Sequence, residues 1–241
     1  MEVTVTANRA NQLEVITDVW ERHEDRAYIE EMSHWRGAGR YADDDVWLAI
    51  GKAALDRFEL FARMKNRPLP ESPVMLEWGP GGGSNAFAFR DTASAYYGVD
   101  ISQSNLDECT RQMAEGPCEF RSVLLDGEPE TIEGLDPVDL FLSTSVFMHF
   151  PDKEYGARVL KVMRANCKHG AMGLIQIRFD NHNPKFSAIT RLEDYADKHI
   201  TATSYRLDEF TDLCLDAGFE VSAVIGLRTA NNSAVFCLVA R

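Results

Sequence analysis

The segment Val74-Met75-Leu76-Glu77-Trp78-Gly79-Pro80-Gly81-Gly82-Gly83-Ser84-Asn85 decides how we interpret this chain. It begins as a short apolar strand, passes through glycines at positions 79, 81 and 83, and leads into a helix that we predict to start at Ser84. Glycine has no Cβ atom, so the backbone can turn tightly and approach a ligand closely, while the helix start offers unpaired N–H groups. The pattern predicts a site for a nucleotide-like ligand. It is not a P-loop, because neither Lys-Ser nor Lys-Thr follows the glycines.

Two acidic residues follow the next two predicted strands. Asp100 comes directly after the apolar run Tyr96–Val99, and Asp126 follows Val123-Leu124-Leu125. The carboxyl ends of parallel strands meet at one edge of a sheet, where open α/β proteins bind their ligands. A carboxylate in the position of Asp100 can accept hydrogen bonds from both hydroxyl groups of a ribose. The glycine loop and the two carboxylates, in this order, favour a ligand that contains a nucleoside.

Beyond residue 72 the chain alternates between short apolar runs and segments with helical spacing. The runs that we predict as strands are Val74–Trp78, Ala95–Val99, Phe120–Leu125, Val138–Leu142, Met172–Phe179, Phe219–Ile225 and Ala234–Ala240. Strands that alternate with helices predict βαβ crossovers, and therefore an α/β fold with a mainly parallel sheet covered on both faces. The last two runs are joined through Asn231-Asn232-Ser233, and so short a link predicts an antiparallel final pair.

The part of the chain before the first predicted strand has a different character. Apolar residues recur there at helical spacing, interrupted by the glycine-broken, aromatic and basic segment Ser33–Tyr41. Three prolines then follow in quick succession, and we place a domain boundary near Ser72. We therefore predict an N-terminal helical cap or lid over residues 1–72 and a core over residues 73–241. Within the core we predict an insertion near residues 180–205 on the substrate side.

Composition and charge exclude several classes of protein. The chain has 241 residues, and 25 Lys and Arg against 38 Asp and Glu give a formal net charge of −13. Such a surface repels polyanions, so we expect neither nucleic acid nor a membrane as a partner. Five scattered cysteines without a C-x-x-C pair indicate neither a disulfide framework nor a zinc site. We find no secretory or membrane-spanning pattern and expect a cytoplasmic monomer or homodimer.

Four motifs in this order resemble the class I S-adenosylmethionine-dependent methyltransferases. They are Glu77-x-Gly79-x-Gly81-x-Gly83, the run Gly98-Val99-Asp100-Ile101-Ser102, Asp126, and the run from Asp139 to Asp152. The resemblance implies a Rossmann-like seven-stranded sheet of order 3-2-1-4-5-7-6, with strand 7 antiparallel and helices on both faces. It also implies S-adenosyl-L-methionine as the cofactor and S-adenosyl-L-homocysteine as the product.

The resemblance implies roles for individual residues around that cofactor. The loop glycines would pass beneath its methionine and ribose, Asp100 would hold the ribose hydroxyls, and Ile101 would lie against the adenine. Asp126 would take the adenine amino group, the Ser143–Thr144 turn would approach the methionine, and Glu77 would serve the cationic groups through water or backbone. The predicted cofactor-binding residues are Glu77, Gly79, Pro80, Gly81, Gly83, Asn85, Asp100, Ile101, Asp126, Ser143 and Thr144.

Two alternatives from other classes stay open at this point. A nicotinamide-dependent oxidoreductase would need its G-x-G-x-x-G fingerprint, but the third glycine falls at Ser84, and Glu77 is unusual ahead of a pyrophosphate site. The oxidoreductase alternative predicts that NAD(P), and not S-adenosylhomocysteine, stabilises the protein against thermal unfolding. A catalytically silent methyltransferase-like subunit predicts cofactor binding without turnover of any acceptor.

Methyl transfer from a sulfonium is an in-line displacement, so the protein chiefly has to align the acceptor atom with the methyl carbon. His149, just after the fourth predicted strand, is our candidate for a catalytic base, because imidazole titrates near neutrality. We expect a small-molecule acceptor, such as a sugar, a metabolite or a secondary-metabolite scaffold, methylated at oxygen or nitrogen. The predicted substrate-binding residues are His34, Trp35, Arg36, Tyr41 and Arg178.

A metal site is not part of this prediction. Asp180-Asn181 after the fifth strand is similar to the adjacent Asp-Asn of cation-dependent O-methyltransferases, which carry a further Asp after the fourth strand. Here that neighbourhood reads Ser143-Thr144-Ser145, so the oxygen ligands that a hard cation prefers are incomplete. We interpret Asp180–Asn183 as a capped turn.

Overall fold

The structure, a computed structural model, describes residues 2–241, with side chains described from Arg9 onward. Its helices are α1 (Glu2–Trp20), α2 (Arg26–Met32), α3 (Asp44–Met64), α4 (Ser84–Phe89), α5 (Gln103–Met113), α6 (Lys153–Ala165), α7 (Tyr195–Lys198) and α8 (Leu207–Asp216). Its strands are β1 (Val74–Trp78), β2 (Ala95–Asp100), β3 (Glu119–Leu124), β4 (Val138–Ser143), β5 (Cys167–Arg178), β6 (Phe219–Arg228) and β7 (Ser233–Ala240). Short 3-10 helices lie at Gly39–Ala42, Pro129–Thr131, Phe147–His149, Pro184–Phe186, Leu192–Asp194 and His199–Thr201.

The strands form one sheet of order β3-β2-β1-β4-β5-β7-β6. The first five strands run parallel, and β7 lies antiparallel to both β5 and β6. The predicted fold class and strand order are therefore confirmed. The register pairs Trp78 with Val99 and Glu77 with Leu142, so the carboxyl ends of β1, β2 and β4 lie side by side at one edge of the sheet.

Apolar side chains pack on both faces of the sheet. Leu76 and Trp78 of β1 belong to the cluster beneath α6 and α8, while Met75 belongs to the cluster beneath α3, α4 and α5. This division follows from the alternation of side chains along a strand. Glu77 has the same parity as Met75, so the alternation directs its carboxyl group into the α3–α5 layer.

Two strands are longer than the sequence indicated. β5 begins at Cys167, earlier than the predicted start at Met172. The exposed Lys168 and His169 interrupt the apolar run, so the hydrophobic pattern did not indicate this part of the strand. β6 continues to Arg228, although its last residues are exposed. In both places the backbone pairs with a neighbouring strand, and hydrogen bonding extends the strand where the hydrophobic pattern has ended.

Three helices precede β1. Asp43 caps α3, since its side chain accepts a hydrogen bond from the Asp45 N–H at 2.9 Å. α3 packs closely on α4, because a Cβ atom at Gly51 would lie only 2.2 Å from the Ser84 carbonyl oxygen. α1 contacts α7, which lies in the segment 180–205 between β5 and α8. The division into a cap of residues 1–72 and a core of residues 73–241 stays a prediction.

The five cysteines are all buried and none forms a disulfide. Among the described residues, no helix combines the length and the apolar character that a membrane span requires.

Candidate active site

A cavity of about 260 Å³ lies at the carboxyl edge of the sheet. Its floor comes from the ends of β1, β2 and β4 and the loops after them, and its roof comes from α1 and the segment Ser33–His34. The structure thus brings together residues from α1, the segment Ser33–His34, the glycine loop and several strand ends. The predicted site residues that line this cavity are His34, Gly79, Pro80, Gly81, Asn85, Asp100, Ile101, Thr144, His149 and Arg178.

The glycine loop has two physical roles. Gly79, Gly81 and Gly83 adopt φ values of +75°, +51° and +82°, a backbone conformation that side chains with a Cβ atom rarely adopt. A Cβ atom at Gly81 would also lie 2.6 Å from the Ser33 carbonyl oxygen, and the Gly82 N–H donates a hydrogen bond to that same oxygen at 2.7 Å. The loop therefore allows the segment Ser33–Tyr41 to approach closely, in addition to lining the cavity. The contact with this segment was not predicted from the sequence.

Replacing Gly82 by alanine tests this contact between the cap and the loop. The new Cβ atom would lie 2.7 Å from both the His34 carbonyl oxygen and the Trp35 Cα atom, so backbone would have to move. We expect Gly82→Ala to lower the free energy of unfolding by about 1–3 kcal/mol, as for overpacking. Urea unfolding followed by tryptophan fluorescence measures this change. An unchanged midpoint and slope would show that the segment moves aside freely.

Asp100 closes the end of β2 with a buried carboxylate on the cavity wall. Its Oδ1 accepts a hydrogen bond from the Ser102 N–H at 3.0 Å, and its Oδ2 accepts one from the Gly81 N–H at 3.3 Å. Burial raises the pKa of Asp100 to about 6, and the N–H donors oppose that rise. The carboxylate is thus ionised at neutral pH, and each oxygen keeps acceptor capacity for hydroxyl groups in the cavity.

Glu77 lies behind the cavity and does not line it, which differs from its predicted role beside the cofactor. Its side chain is fully buried and accepts hydrogen bonds from Asn85 Nδ2 at 2.7 Å and from the Tyr96 hydroxyl at 2.7 Å. Burial raises the pKa of Glu77 to about 7, against the lowering effect of these donors. The reason for the difference is strand alternation, which turns Glu77 into the α3–α5 layer and leaves Asn85 between it and the cavity.

The raised pKa of Glu77 has a predictable effect on stability. A carboxyl group with a pKa of about 7 in the fold and about 4.5 when unfolded stabilises the fold fully below pH 4.5 and loses that contribution as the pH rises through 7. Glutamine does not titrate, so the stability of Glu77→Gln relative to the native chain should increase between pH 5 and pH 8. Urea unfolding at the two pH values measures the difference. The exposed Glu133→Gln is the control, and an equal pH response in both variants would contradict the assignment.

Asn85 connects this buried network to the cavity. Its Nδ2 donates hydrogen bonds to Glu77 Oε1 and, at 2.8 Å, to Thr144 Oγ1. Its Oδ1 is buried, and no residue described in the structure donates a hydrogen bond to it. Because a buried acceptor without a donor costs free energy, Asn85 is suited to a cationic or N–H group of a bound ligand.

Besides Glu77, three predicted cofactor residues do not line the cavity. Asp126 is exposed and does not line the wall, whereas its neighbours Leu125 and Gly127 do. Consecutive residues direct their side chains differently, which accounts for this difference. Ser143 is buried and donates a hydrogen bond from Oγ to the Trp78 carbonyl oxygen at 2.9 Å, which ties β4 to β1. Gly83 forms the N-cap of α4, and a Cβ atom there would lie 2.8 Å from Cys109 Sγ.

His149 lines the cavity, but its environment is unsuited to the predicted role of a base. Its Nδ1 lies 2.8 Å from the His199 carbonyl oxygen, which can only accept, so Nδ1 carries the hydrogen and Nε2 is left as an acceptor. The Trp20 ring packs against the imidazole at a centroid distance of 4.7 Å. Burial, together with His199, lowers the pKa of His149 to about 3. The sequence could not show this burial, because Trp20 and His199 come from distant parts of the chain.

The cavity wall contains two strained residues. His34 and Ser145 adopt φ values of +60° and +62° without being glycine, and both line the cavity. Such strain is retained where the surrounding structure holds it, and it concentrates at functional sites. Burial and the nearby Arg40 lower the pKa of His34 to about 4, so its imidazole is neutral at physiological pH.

The aromatic and basic residues predicted to bind substrate fall into two groups. Trp35 donates from Nε1 to Asn105 Oδ1 at 2.8 Å, and Arg36 pairs with Asp44 at 2.5 Å. Neither of these side chains lines the cavity, so they hold the cap segment in place. Tyr41 is buried and lines a second space that opens beside the first.

We call this second space the side chamber; it has a volume of about 410 Å³. It shares a wall with the main cavity, formed by His34, Arg40, Asn85, Thr144 and Ser145. The residues that line only the side chamber are Tyr41, Val46, Ile50, Ala53, Arg57 and Gln176. Sequence reasoning missed Arg40 and Arg57: Arg40 lies within the basic segment noted above, whereas nothing in the sequence distinguishes Arg57 from a surface arginine of α3.

Arg178, at the end of β5, is a buried cation on the wall of the main cavity. It donates hydrogen bonds to the Asn231 carbonyl oxygen and, at 3.3 Å, to Met148 Sδ, and its guanidinium lies over the Phe186 ring. Its Nε is buried, and within the described residues nothing accepts a hydrogen bond from it. Burial lowers the pKa of Arg178, which is the expected direction for a desolvated cation.

The polar residues after β5 form a turn. Asp180 Oδ1 accepts from the His182 N–H at 2.7 Å, and Asn181 Oδ1 accepts from Asn232 Nδ2 at 2.7 Å. These contacts agree with the interpretation as a capped turn. Among the described residues, His, Cys, Asp and Glu do not gather in groups of three or more that could hold a metal ion. That the protein needs no metal stays a prediction.

The sheet order, the glycine loop and the carboxylate of Asp100 at the neighbouring strand end define the class I methyltransferase fold. Residues 75–170, from β1 to the first residues of β5, match the family model described as a methyltransferase domain. This segment is therefore a methyltransferase domain, which confirms the resemblance to the class I S-adenosylmethionine-dependent methyltransferases noted in the sequence. The comparison with curated proteins gives no significant match.

Solved structures with the same fold are also methyltransferases. Magnesium protoporphyrin IX methyltransferase from Synechocystis PCC 6803 with bound S-adenosylmethionine is 14% identical, with a TM-score of 0.63 over 95% of this chain and 97% of that chain. CalS10, an amino pentose methyltransferase from Micromonospora echinaspora, is 11% identical, with a TM-score of 0.59 over 81% and 92% of the two chains. A Haloferax volcanii complex of the Trm112 methyltransferase activator with a methyltransferase is 18% identical, with a TM-score of 0.55 over 82% and 97%. At these identities the likeness concerns the fold.

Proposed function

We propose that this chain methylates a small-molecule acceptor, such as a metabolite, a sugar or a secondary-metabolite scaffold, at an oxygen or nitrogen atom. The observation that carries the proposal is the covered cavity, whose roof includes Leu13, Ile16 and Trp20 of α1. A concave cavity partly covered by α1 favours a small acceptor over a folded macromolecule. The net charge of −13 also disfavours nucleic acid. The similarity in fold to an amino pentose methyltransferase supports the same choice.

The residues of this cavity suit S-adenosylmethionine. We propose that Asp100 accepts hydrogen bonds from the ribose hydroxyls, that Ile101 lies against the adenine, and that Gly79 and Gly81 allow the backbone to approach the cofactor. The buried Oδ1 of Asn85, which has no donor among the described residues, suits the methionine ammonium group. Glu77 supports Asn85 from behind, so we propose that its effect on the cofactor is indirect.

The cofactor supplies an electrophilic methyl group, and the chain has to align the acceptor with it in a dry site. We propose that His149 positions the acceptor through its neutral Nε2, because a pKa of about 3 makes the imidazole a weak base. His34 and Arg178 extend the acceptor side of the wall. Alignment and exclusion of water then account for most of the chemistry that these residues perform.

The N-terminal helices and the segment near residues 180–205 are proposed to select the acceptor. α1 forms the roof of the cavity, and Ile200 of that segment also lines it. We further propose a cytoplasmic location, which the five buried unpaired cysteines favour, and a monomeric or homodimeric state.

Two measurements test the proposed function. Isothermal titration with S-adenosylhomocysteine and with NAD should give binding of the first alone. Transfer of labelled methyl groups from S-adenosylmethionine should then be followed into a cell extract separated into small molecules, RNA and protein. We expect label in the small-molecule fraction. Label in RNA or protein would contradict the proposal, and cofactor binding without any transfer would favour a silent subunit.

A further inference from the structure

The side chamber contains more positive charge than the rest of this acidic chain would suggest. Arg40 lines the wall that it shares with the main cavity, and Arg57 of α3 lines the side chamber alone. Among the described residues, no Asp or Glu side chain lines this chamber. Its other polar groups are neutral, among them the Tyr41 hydroxyl and the Gln176 amide.

Arg57 is half-buried, and no carboxylate of the described residues balances its positive charge. Within the part of the chain that the structure describes, Arg57 has no carboxylate oxygen within 4.0 Å. Burial lowers the pKa of its guanidinium, and the nearby Arg228 lowers it further by repulsion. Arginine is seldom buried without a partner, because desolvation of an unpaired charge is costly. An anion in the chamber would supply that partner.

The charges of the cofactor do not remove this imbalance. S-adenosylmethionine brings a single carboxylate, and Arg40 on the shared wall is the side-chamber cation that can reach into the main cavity. Arg57 does not line the main cavity, so it would still lack a counter-charge when the cofactor is bound. An anionic group on the acceptor would supply this counter-charge.

We propose that the methyl acceptor carries an anionic group, a carboxylate or a phosphate, which binds in the side chamber against Arg57. A planar guanidinium can bind either oxyanion with two parallel hydrogen bonds, and the Tyr41 hydroxyl and Gln176 amide provide further polar contacts on the same walls. This inference rests on the proposed function, because it names the chemical class of the acceptor for the same site.

The test uses the full chain saturated with S-adenosylhomocysteine, so that the cofactor carboxylate already occupies its own site. Thermal unfolding is followed while sodium phosphate or sodium acetate is added, with sodium chloride at equal ionic strength as the reference. We expect at least one of the two oxyanions to raise the melting temperature above the chloride reference. The stronger of the two identifies whether phosphate or carboxylate is the preferred group.

Substitutions on α3 assign this effect to the chamber. Arg57→Met should weaken the apparent affinity for the effective oxyanion about tenfold or more, whereas Arg57→Lys should keep part of it. Arg63→Met is the matched control, because Arg63 lies on the same helix, is 68% exposed and pairs with Glu59. Its response should equal that of the native chain.

Three results would overturn the inference: no stabilisation beyond chloride, an equal loss in Arg63→Met, or an unchanged response in Arg57→Met. If Arg57→Met fails to fold, Arg57→Lys and the native chain still decide the question. A native chain that does not bind S-adenosylhomocysteine contradicts the proposed function instead. Isothermal titration with S-adenosylhomocysteine therefore distinguishes a failure of the proposed function from a failure of this inference.

Discussion

Asp100→Ala is expected to weaken the binding of S-adenosylhomocysteine roughly 100-fold or more. The native carboxylate lies on the cavity wall and is already oriented by the N–H groups of Gly81 and Ser102. Each hydrogen bond from a ribose hydroxyl to a charged acceptor contributes about 1.5–3 kcal/mol, and the substitution removes two of them. A loss of about 3 kcal/mol corresponds to more than two orders of magnitude in the dissociation constant.

Isothermal titration at pH 8 measures this loss, since Asp100 with a pKa of about 6 is then ionised. The exposed Asp107→Ala on α5 is the control and should bind as the native chain does. Native affinity should also fall as the pH is lowered through 6, because a protonated Asp100 accepts fewer hydrogen bonds, and the Ala variant should lack this response. Unchanged affinity in a folded Asp100→Ala would mean that the ribose binds elsewhere. Urea unfolding of the variant separates loss of binding from loss of the fold.

Trp47→Ala is expected to lower the free energy of unfolding by about 3–5 kcal/mol, as for other buried Trp→Ala changes. Trp47 is fully buried, packs against the Phe87 ring at a centroid distance of 5.2 Å, and donates from Nε1 to the His34 carbonyl oxygen at 2.8 Å. The substitution would leave a large space between α3 and α4 and release the cap segment. Because that segment contacts Gly81 and Gly82, cofactor affinity should fall as well.

Urea unfolding measures the change in stability, and two variants help to interpret it. Trp47→Phe keeps an aromatic ring but loses the N–H donor, so it should cost less than the Ala variant. Leu48→Ala on the same helix removes a side chain that is 38% exposed and should cost well below 3 kcal/mol. A Trp47→Ala protein as stable as Leu48→Ala would show that the contacts of Trp47 with α4 and with the segment Ser33–Tyr41 contribute little to the free energy of unfolding.

Much of the fold could be predicted because its signals are local. The run Val74–Trp78 was predicted with the bounds that β1 has, and Asp100 was placed at the end of its strand. Hydrophobic periodicity and turn residues report on neighbours in the sequence, and these decide where strands and helices lie. β5 was predicted too short because its first residues pair through the backbone, which a hydrophobic pattern does not record.

The same distinction between local and long-range signals applies to the candidate site. From its sequence alone, this chain determined the glycine loop, the alternation of strands and helices and the strand end at which Asp100 lies, because these follow from local pattern, whereas the order of the strands in the sheet was implied by the family resemblance. Only the tertiary structure decided that Glu77 is enclosed, that His149 is a neutral imidazole and that Arg57 lines a chamber to which the described residues contribute no carboxylate. The physical reason is that burial and charge pairing depend on residues far apart in the chain, such as Trp20 beside His149 and Asn85 in front of Glu77.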